Sequence, residues 1–223
     1  FNYRTSNNAP SIDQLQDVIN NSNSLQLSTG NPDLKQDFQQ NIFLRYSGVN
    51  TNKATSFFAL IGGNYSNNYI GNRTLIANQD TTVYNDIFLQ RGSQIIRPVN
   101  LDGYYSLRSF INYTFPIKKI KTNLSVNVSG NYNNVPGMIN TNINYAKTAT
   151  GGLGLVFSSN ISEKFDFTLS SNSSYSNIQN TLQTSSNTNY LSQVSRLKIT
   201  ANPWKGLILQ SEYSNTYYSG LTS

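Results

Sequence analysis

The chain has 223 residues, 37% of them hydrophobic, and contains neither cysteine nor histidine, which excludes a disulfide framework, thiolate chemistry and the commonest metal ligand and general base. Sixteen basic against ten acidic residues leave a formal charge of +6. Lys118, Lys119, Lys121, Lys164 and Lys205 fall at turns and form no stripe interleaved with aromatics, which argues against nucleic acid as a partner.

The elements follow in chain order, beginning with a short stub at 1–5. After a long connection over about 6–37, the segment 38–47 sets Ile42, Leu44 and Tyr46 against Phe43, Arg45 and Ser47. A period of two marks a strand with two unlike faces. The next strand, 56–70, opens with the longest apolar run of the chain, residues 57–61, and alternates only loosely afterwards. That run is too short for a helix to cross a bilayer. A second long connection, 71–102, is interrupted by Ile87, Phe88, Leu89, Ile95 and Ile96 and is expected to fold, as strands beyond the main set.

In 103–117, Tyr105, Leu107, Ser109, Ile111, Tyr113, Phe115 and Ile117 oppose Ser106, Arg108, Asn112 and Thr114, with Phe110 the exception. The clearest strand is 123–133, where Leu124, Val126, Val128 and Tyr132 alternate with Asn123, Ser125, Asn127 and Asn131. A connection over 134–147 leads to 148–161, in which Leu153, Leu155, Phe157 and Ile161 oppose Gly152, Gly154, Ser158 and Asn160. Then come 165–177, a connection over 178–192, 193–203, and 207–218. In the last three strands the polar side carries Asp166, Arg196, Lys198 and Glu212 among Ser, Thr and Asn.

The polar faces are built of Asn and Ser, where a soluble sheet would show Lys and Glu. Lipid on one side and water on the other select that pattern. The predicted fold class is all-β, an antiparallel transmembrane β-barrel segment of about nine strands. Short connections at 47–55, 118–122, 162–164 and 203–206 alternate with the long ones, as tight periplasmic turns alternate with external loops in outer-membrane barrels. Tyrosines at strand ends, Tyr65, Tyr69, Tyr104, Tyr105, Tyr132, Tyr175, Tyr190, Tyr217 and Tyr218, suit interfacial girdles. An odd strand count, a start in mid-strand and the ending Leu221-Thr222-Ser223 lead us to expect that residues 1–223 are part of one outer-membrane β-barrel domain, with its last strands absent.

A longer pattern joins these elements. Phe1-Asn2-Tyr3-Arg4-Thr5 is followed by Ala9-Pro10-Ser11-Ile12, Leu15-Gln16, then Gly30-Asn31-Pro32-Asp33-Leu34-Lys35 and the strand from Phe38 to Tyr46. This order resembles TonB-dependent receptors, in particular the outer-membrane β-barrel family common in Bacteroidetes. Gln36 and Asp37 stand where that motif usually has Pro and Glu. The resemblance implies a 22-stranded barrel, a plug domain absent from this chain, TonB as an energy-coupling partner, a surface lipoprotein as a further partner, and location in the bacterial outer membrane. It implies ligand-gated uptake of a nutrient (metal chelate, glycan or peptide) with no enzymatic chemistry.

Within the motif, Gly30, Asn31, Pro32, Asp33 and Leu34 read as a structural turn, since glycine permits unusual backbone angles and Pro32 biases Asn31 toward an extended form. Tyr84, Phe88, Arg91 and Arg97 are the candidate ligand contacts in an outer loop, because aromatic and arginine side chains dominate recognition. No catalytic group, cofactor or metal is expected. Asp80, Asp86 and Asp102 lack the spacing of a calcium loop. Arg45, Arg108, Arg196, Lys198, Asp166 and Glu212 read as a solvated ladder on the lumen side. The rival functions are a small passive pore or structural barrel, and a secreted β-rich adhesin.

Overall fold

The computed structural model describes residues 1–84, 87–159, 162 and 164–220. Its strands are β1 (Asn2–Asn8), β2 (Gln26–Ser28), β3 (Asp37–Asn50), β4 (Thr55–Asn67), β5 (Tyr69–Ile76), β6 (Thr81–Val83), β7 (Ile87–Leu89), β8 (Gln94–Leu101), β9 (Tyr104–Ile117), β10 (Thr122–Ile139), β11 (Asn142–Ser159), β12 (Phe165–Asn180), β13 (Thr188–Trp204) and β14 (Leu207–Ser219). One turn of helix, α1 (Ile12–Leu15), sits between β1 and β2 and is closed by a capping box between Ser11 and Gln14. Nine strands form one path, β1-β3-β4-β9-β10-β11-β12-β13-β14, with every adjacent pair antiparallel.

The register keeps like opposite like. Val126 faces Tyr113 on one side and Leu155 on the other, Val128 faces Ile111 and Leu153, and Leu124 faces Phe115 and Phe157. On the other face Asn112 donates from Nδ2 to Asn127 Oδ1 at 2.6 Å, Thr114 and Ser125 share a hydroxyl bond of 2.8 Å, and Thr150 and Ser176 one of 3.0 Å. Each such cross-strand pair contributes roughly 0.2–1 kcal/mol. A slip of one residue would exchange the two faces entirely, so the alternation itself fixes the register.

A row of paired residues runs Phe57, Tyr113, Val126, Leu155, Ser171, Ser195, Asn215. Phe57 is near the start of β4 and Asn215 is near the end of β14. The row therefore climbs relative to the turns, which is the stagger that tilted barrel strands require.

Strand ends differ from the sequence expectation at several points, β1 reaching Asn8 and β3 running on to Asn50. The expected strand 56–70 breaks at Asn68, whose φ of 54° starts a new direction, and Tyr69 and Ile70 belong to β5. Residues 134–147 are no loop, since β10 and β11 stay paired to Ile139 and Asn142 and turn at Asn140, with φ of 55°. Pro136 is tolerated there because it falls between the end of the β9 pairing at Asn134 and the start of a short parallel pairing with β5 at Met138. Residues 178–192 shorten to a connection over 181–187, and Pro203 and Trp204 lie inside β13. The expected Asn160, Ile161 and 221–223 lie outside the described residues.

The long connection 71–102 is folded. β5 pairs antiparallel with β8, β2 joins β8 in parallel, and β6 and β7 form a separate hairpin. All six buried hydrophobic side chains among the described residues lie here: Leu27, Ala77, Ile87, Leu89, Ile95 and Leu101. The main sheet has no dry core of its own. Its apolar face is open, with Leu44 at 47%, Leu107 at 52% and Leu153 at 53% exposure. A face of that extent requires a non-aqueous surrounding.

Candidate functional site

The turn at 30–34 works as a clamp. Gly30 N–H donates to the Gln16 carbonyl at 3.0 Å and Asn31 N–H to the Gln14 carbonyl at 2.6 Å, which ties the turn to the C-terminal end of α1. A Cβ on Gly30 would overlap the Gln16 carbonyl, so only glycine fits. Asn31 also donates from Nδ2 to the Pro98 carbonyl at 2.9 Å, while its Oδ1 accepts from Asp33 N–H and from Arg97 Nη2, both at 3.2 Å. Pro32 and Asp33 are exposed, and Leu34 N–H bonds back to the Asn31 carbonyl at 3.4 Å. Asn100 extends the clamp, accepting from Lys35 N–H at 2.7 Å.

Of the four candidate contacts, two meet. The Arg97 guanidinium lies 4.7 Å from the centre of the Tyr84 ring. Phe88 is 58% exposed on β7, and Arg91 is exposed, with its backbone N–H bonded to Asp80 at 2.8 Å. Neither joins the Tyr84 pair. A residue missed in the sequence does: Arg73, directly opposite Arg97 across β5 and β8, lies 6.0 Å from the same ring. The only signal for it was the pairing of two strands inside what read as a loop. Asp86 lies outside the described residues.

Below this group, at the inner rim, Tyr69 and Tyr104 stack at 4.4 Å with planes 8° apart. Burial, and then the nearby Tyr104 and Asp37, hold the Tyr69 phenol above the usual tyrosine range. Asp37 is itself buried and accepts from the Ser66 hydroxyl.

The polar face is not uniform. All six charges named above lie on it, and Lys198 stands directly opposite Glu212. On β3, β4 and β9 that face also carries Phe43, Phe58, Leu60 and Phe110. Phe58 and Phe110 are 6.1 Å apart, Arg45 lies 5.2 Å from the Phe58 ring, and Arg108 lies 5.9 Å from the Phe43 ring. Arg108 also covers Gly62, and a recess of about 220 Å³ opens beside it between Asn41, Asn64 and Ser106.

The tyrosines divide by parity. Tyr65, Tyr105, Tyr132, Tyr175 and Tyr217 share the face of the leucines, with Tyr105 and Tyr132 stacked at 5.7 Å, whereas Tyr104, Tyr190 and Tyr218 point to the polar side. No described helix is long and apolar enough to cross a membrane, and the crossing elements are strands. A family model described as an outer membrane protein beta-barrel family matches residues 1–205.

The chain belongs to that family. No curated protein and no solved structure matches it significantly. As a member of the outer membrane β-barrel family it resides in the bacterial outer membrane. The open apolar face is then the lipid face, and the Asn, Ser and Arg face is the watery one.

Proposed function

We propose that the chain forms part of the wall of an active importer, taking up a nutrient such as a metal chelate, glycan or peptide without covalent chemistry. The observation that carries this reading is β4, which is apolar on both faces over residues 57–61. One face meets lipid, and the other, with Phe43 and Phe110 beside it, would face bulk water in an empty pore. Burial of both faces is what such a strand ordinarily indicates. A plug domain packed inside the barrel and coupled to TonB supplies the second cover, and a surface lipoprotein is a further partner in the same scheme. β1 and β14 each pair on one side only among the described residues, and an open edge in lipid leaves backbone groups unsatisfied at several kcal/mol each. Further strands, up to 22 in the full barrel, would close it.

The complete gene product, reconstituted in planar bilayers, should be electrically silent and should retain a purified periplasmic TonB domain. Replacing Phe58 and Phe110 together by Asn should open a measurable conductance. A steady conductance from the unaltered protein, with no TonB retained, would instead mark a passive pore or structural barrel, a reading that family membership equally permits.

A further inference from the structure

We propose that Arg73, Arg97 and Tyr84 form a recognition point for an oxyanion, the carboxylate or phosphate group of a ligand arriving on the side of the long loops. Arg73 and Arg97 are direct cross-strand partners, and like charges so placed repel. Among the described residues the side-chain hydrogen bonds of both go to neutral acceptors. Arg73 directs its Nε to the Asn140 carbonyl at 2.8 Å, and Arg97 directs Nη2 to Asn31, so both guanidinium groups are held in place by neutral acceptors that leave their charge uncancelled. The Arg97 Nε–H is shielded from solvent and has no acceptor among the described residues. An oxyanion satisfies the two requirements together, since the guanidinium fork matches carboxylate and phosphate geometry and a single anion offsets both charges.

Tyr84 supplies the access. It sits at the end of β6 with φ of 36°, a left-handed conformation that a residue with a side chain adopts only under constraint. Its ring stacks on the Arg97 guanidinium, and an anion enters by displacing it. A purely structural stack would explain one arginine against the ring. It leaves unexplained the second arginine opposite the first and the donor without an acceptor. The clamp gives the site its rigidity, because Asn31 holds both the motif turn and Arg97. As a ligand contact the site rests on the uptake reading, whereas anion binding itself requires no transport.

The test uses the full-length barrel in detergent, with thermal unfolding followed against inorganic phosphate, citrate and micelles doped with phosphatidylglycerol, all at matched ionic strength in chloride. Phosphate or citrate should raise the unfolding temperature in a saturable way. Arg73→Gln and Arg97→Gln should each weaken the apparent affinity about tenfold or more, and Arg97→Lys, which keeps charge and loses the fork, should weaken it less. A response to phosphatidylglycerol alone would assign the oxyanion to lipid headgroups, leaving the site intact and its ligand membrane-borne. No response to any anion, or a response that both Gln variants retain, would overturn the proposal. So would a silent parent protein whose Asp86→Asn variant binds, because the counter-ion would then be the chain's own. Uptake lost with anion binding intact would count against the importer alone.

Discussion

A single side chain is enough to tell the two faces apart. Val126 lies among Tyr113 and Leu155 on the lipid face, and Asn127, its neighbour, is bonded to Asn112 on the watery one. Val126→Arg should therefore destabilise the barrel by about 2–4 kcal/mol, while Asn127→Arg, which loses one partly buried amide bond and reaches water, should cost only about 1 kcal/mol. Urea-dependent refolding into lipid vesicles measures both, and equal costs would contradict the assignment of faces. Gly62 makes the complementary point, because the guanidinium of Arg108 occupies the space that a larger residue would claim.

Strands differ in what holds them. The nine of the main path depend on register and lipid, whereas β5–β8 with β2 depend on a small dry core in which Leu89 and Ile95 are wholly buried. Leu89→Ala should cost that insert about 2–5 kcal/mol. Proteolysis after the substitution should cut between residues 77 and 93 while the heat-modifiable barrel band persists; cleavage in both regions at once would show that they are not independent. The sequence exposed the main path well: seven of its nine segments alternate because each has one lipid face, whereas the stub at 1–5 is too short and the strand opening at residues 57–61 is apolar on both faces. It exposed β2, β6 and β7 poorly, since strands of three residues carry no readable period, and β5 and β8, of eight residues each, poorly because they do not alternate. The turn at 30–34 was legible as punctuation, yet its partners Gln14, Gln16 and Pro98 were not. Tyr84 and Arg97 were found by residue type, and Arg73 was hidden for want of the β5–β8 pairing. The expected connection over 134–147 proves to be paired strand with its tip at Asn140, because Pro136 and Gly137 sit where β10 lies between its β9 and β5 pairings.

For the whole molecule, the connections at 51–54, 118–121 and 205–206 gather at one end of the strands and the long segments 9–36 and 68–103 at the other, where β10 and β11 also run on to their own turn at 140–141. An epitope placed at Gln79 should be reached by antibody on intact cells, and one at Lys119 only after the outer membrane is opened; the reverse pattern would invert the protein in the membrane. β10, β11 and β13, of 18, 18 and 17 residues, exceed the roughly 9–11 needed to cross a bilayer and so carry the sheet outward beyond it. The place where the folded insert leaves and rejoins this wall has a consequence of its own. β4 and β9 are direct neighbours, with Ser66 opposite Tyr104, so everything from Asn68 to Gly103 departs and returns at one point. Swapping that segment for another leaves the β4–β9 register as it was, and gives up the short parallel pairing of β5 with β10 at Met138 and Ile139. A foreign module grafted at the same junction would therefore keep the wall's own pairings and have to replace only the contact with the far end of β10.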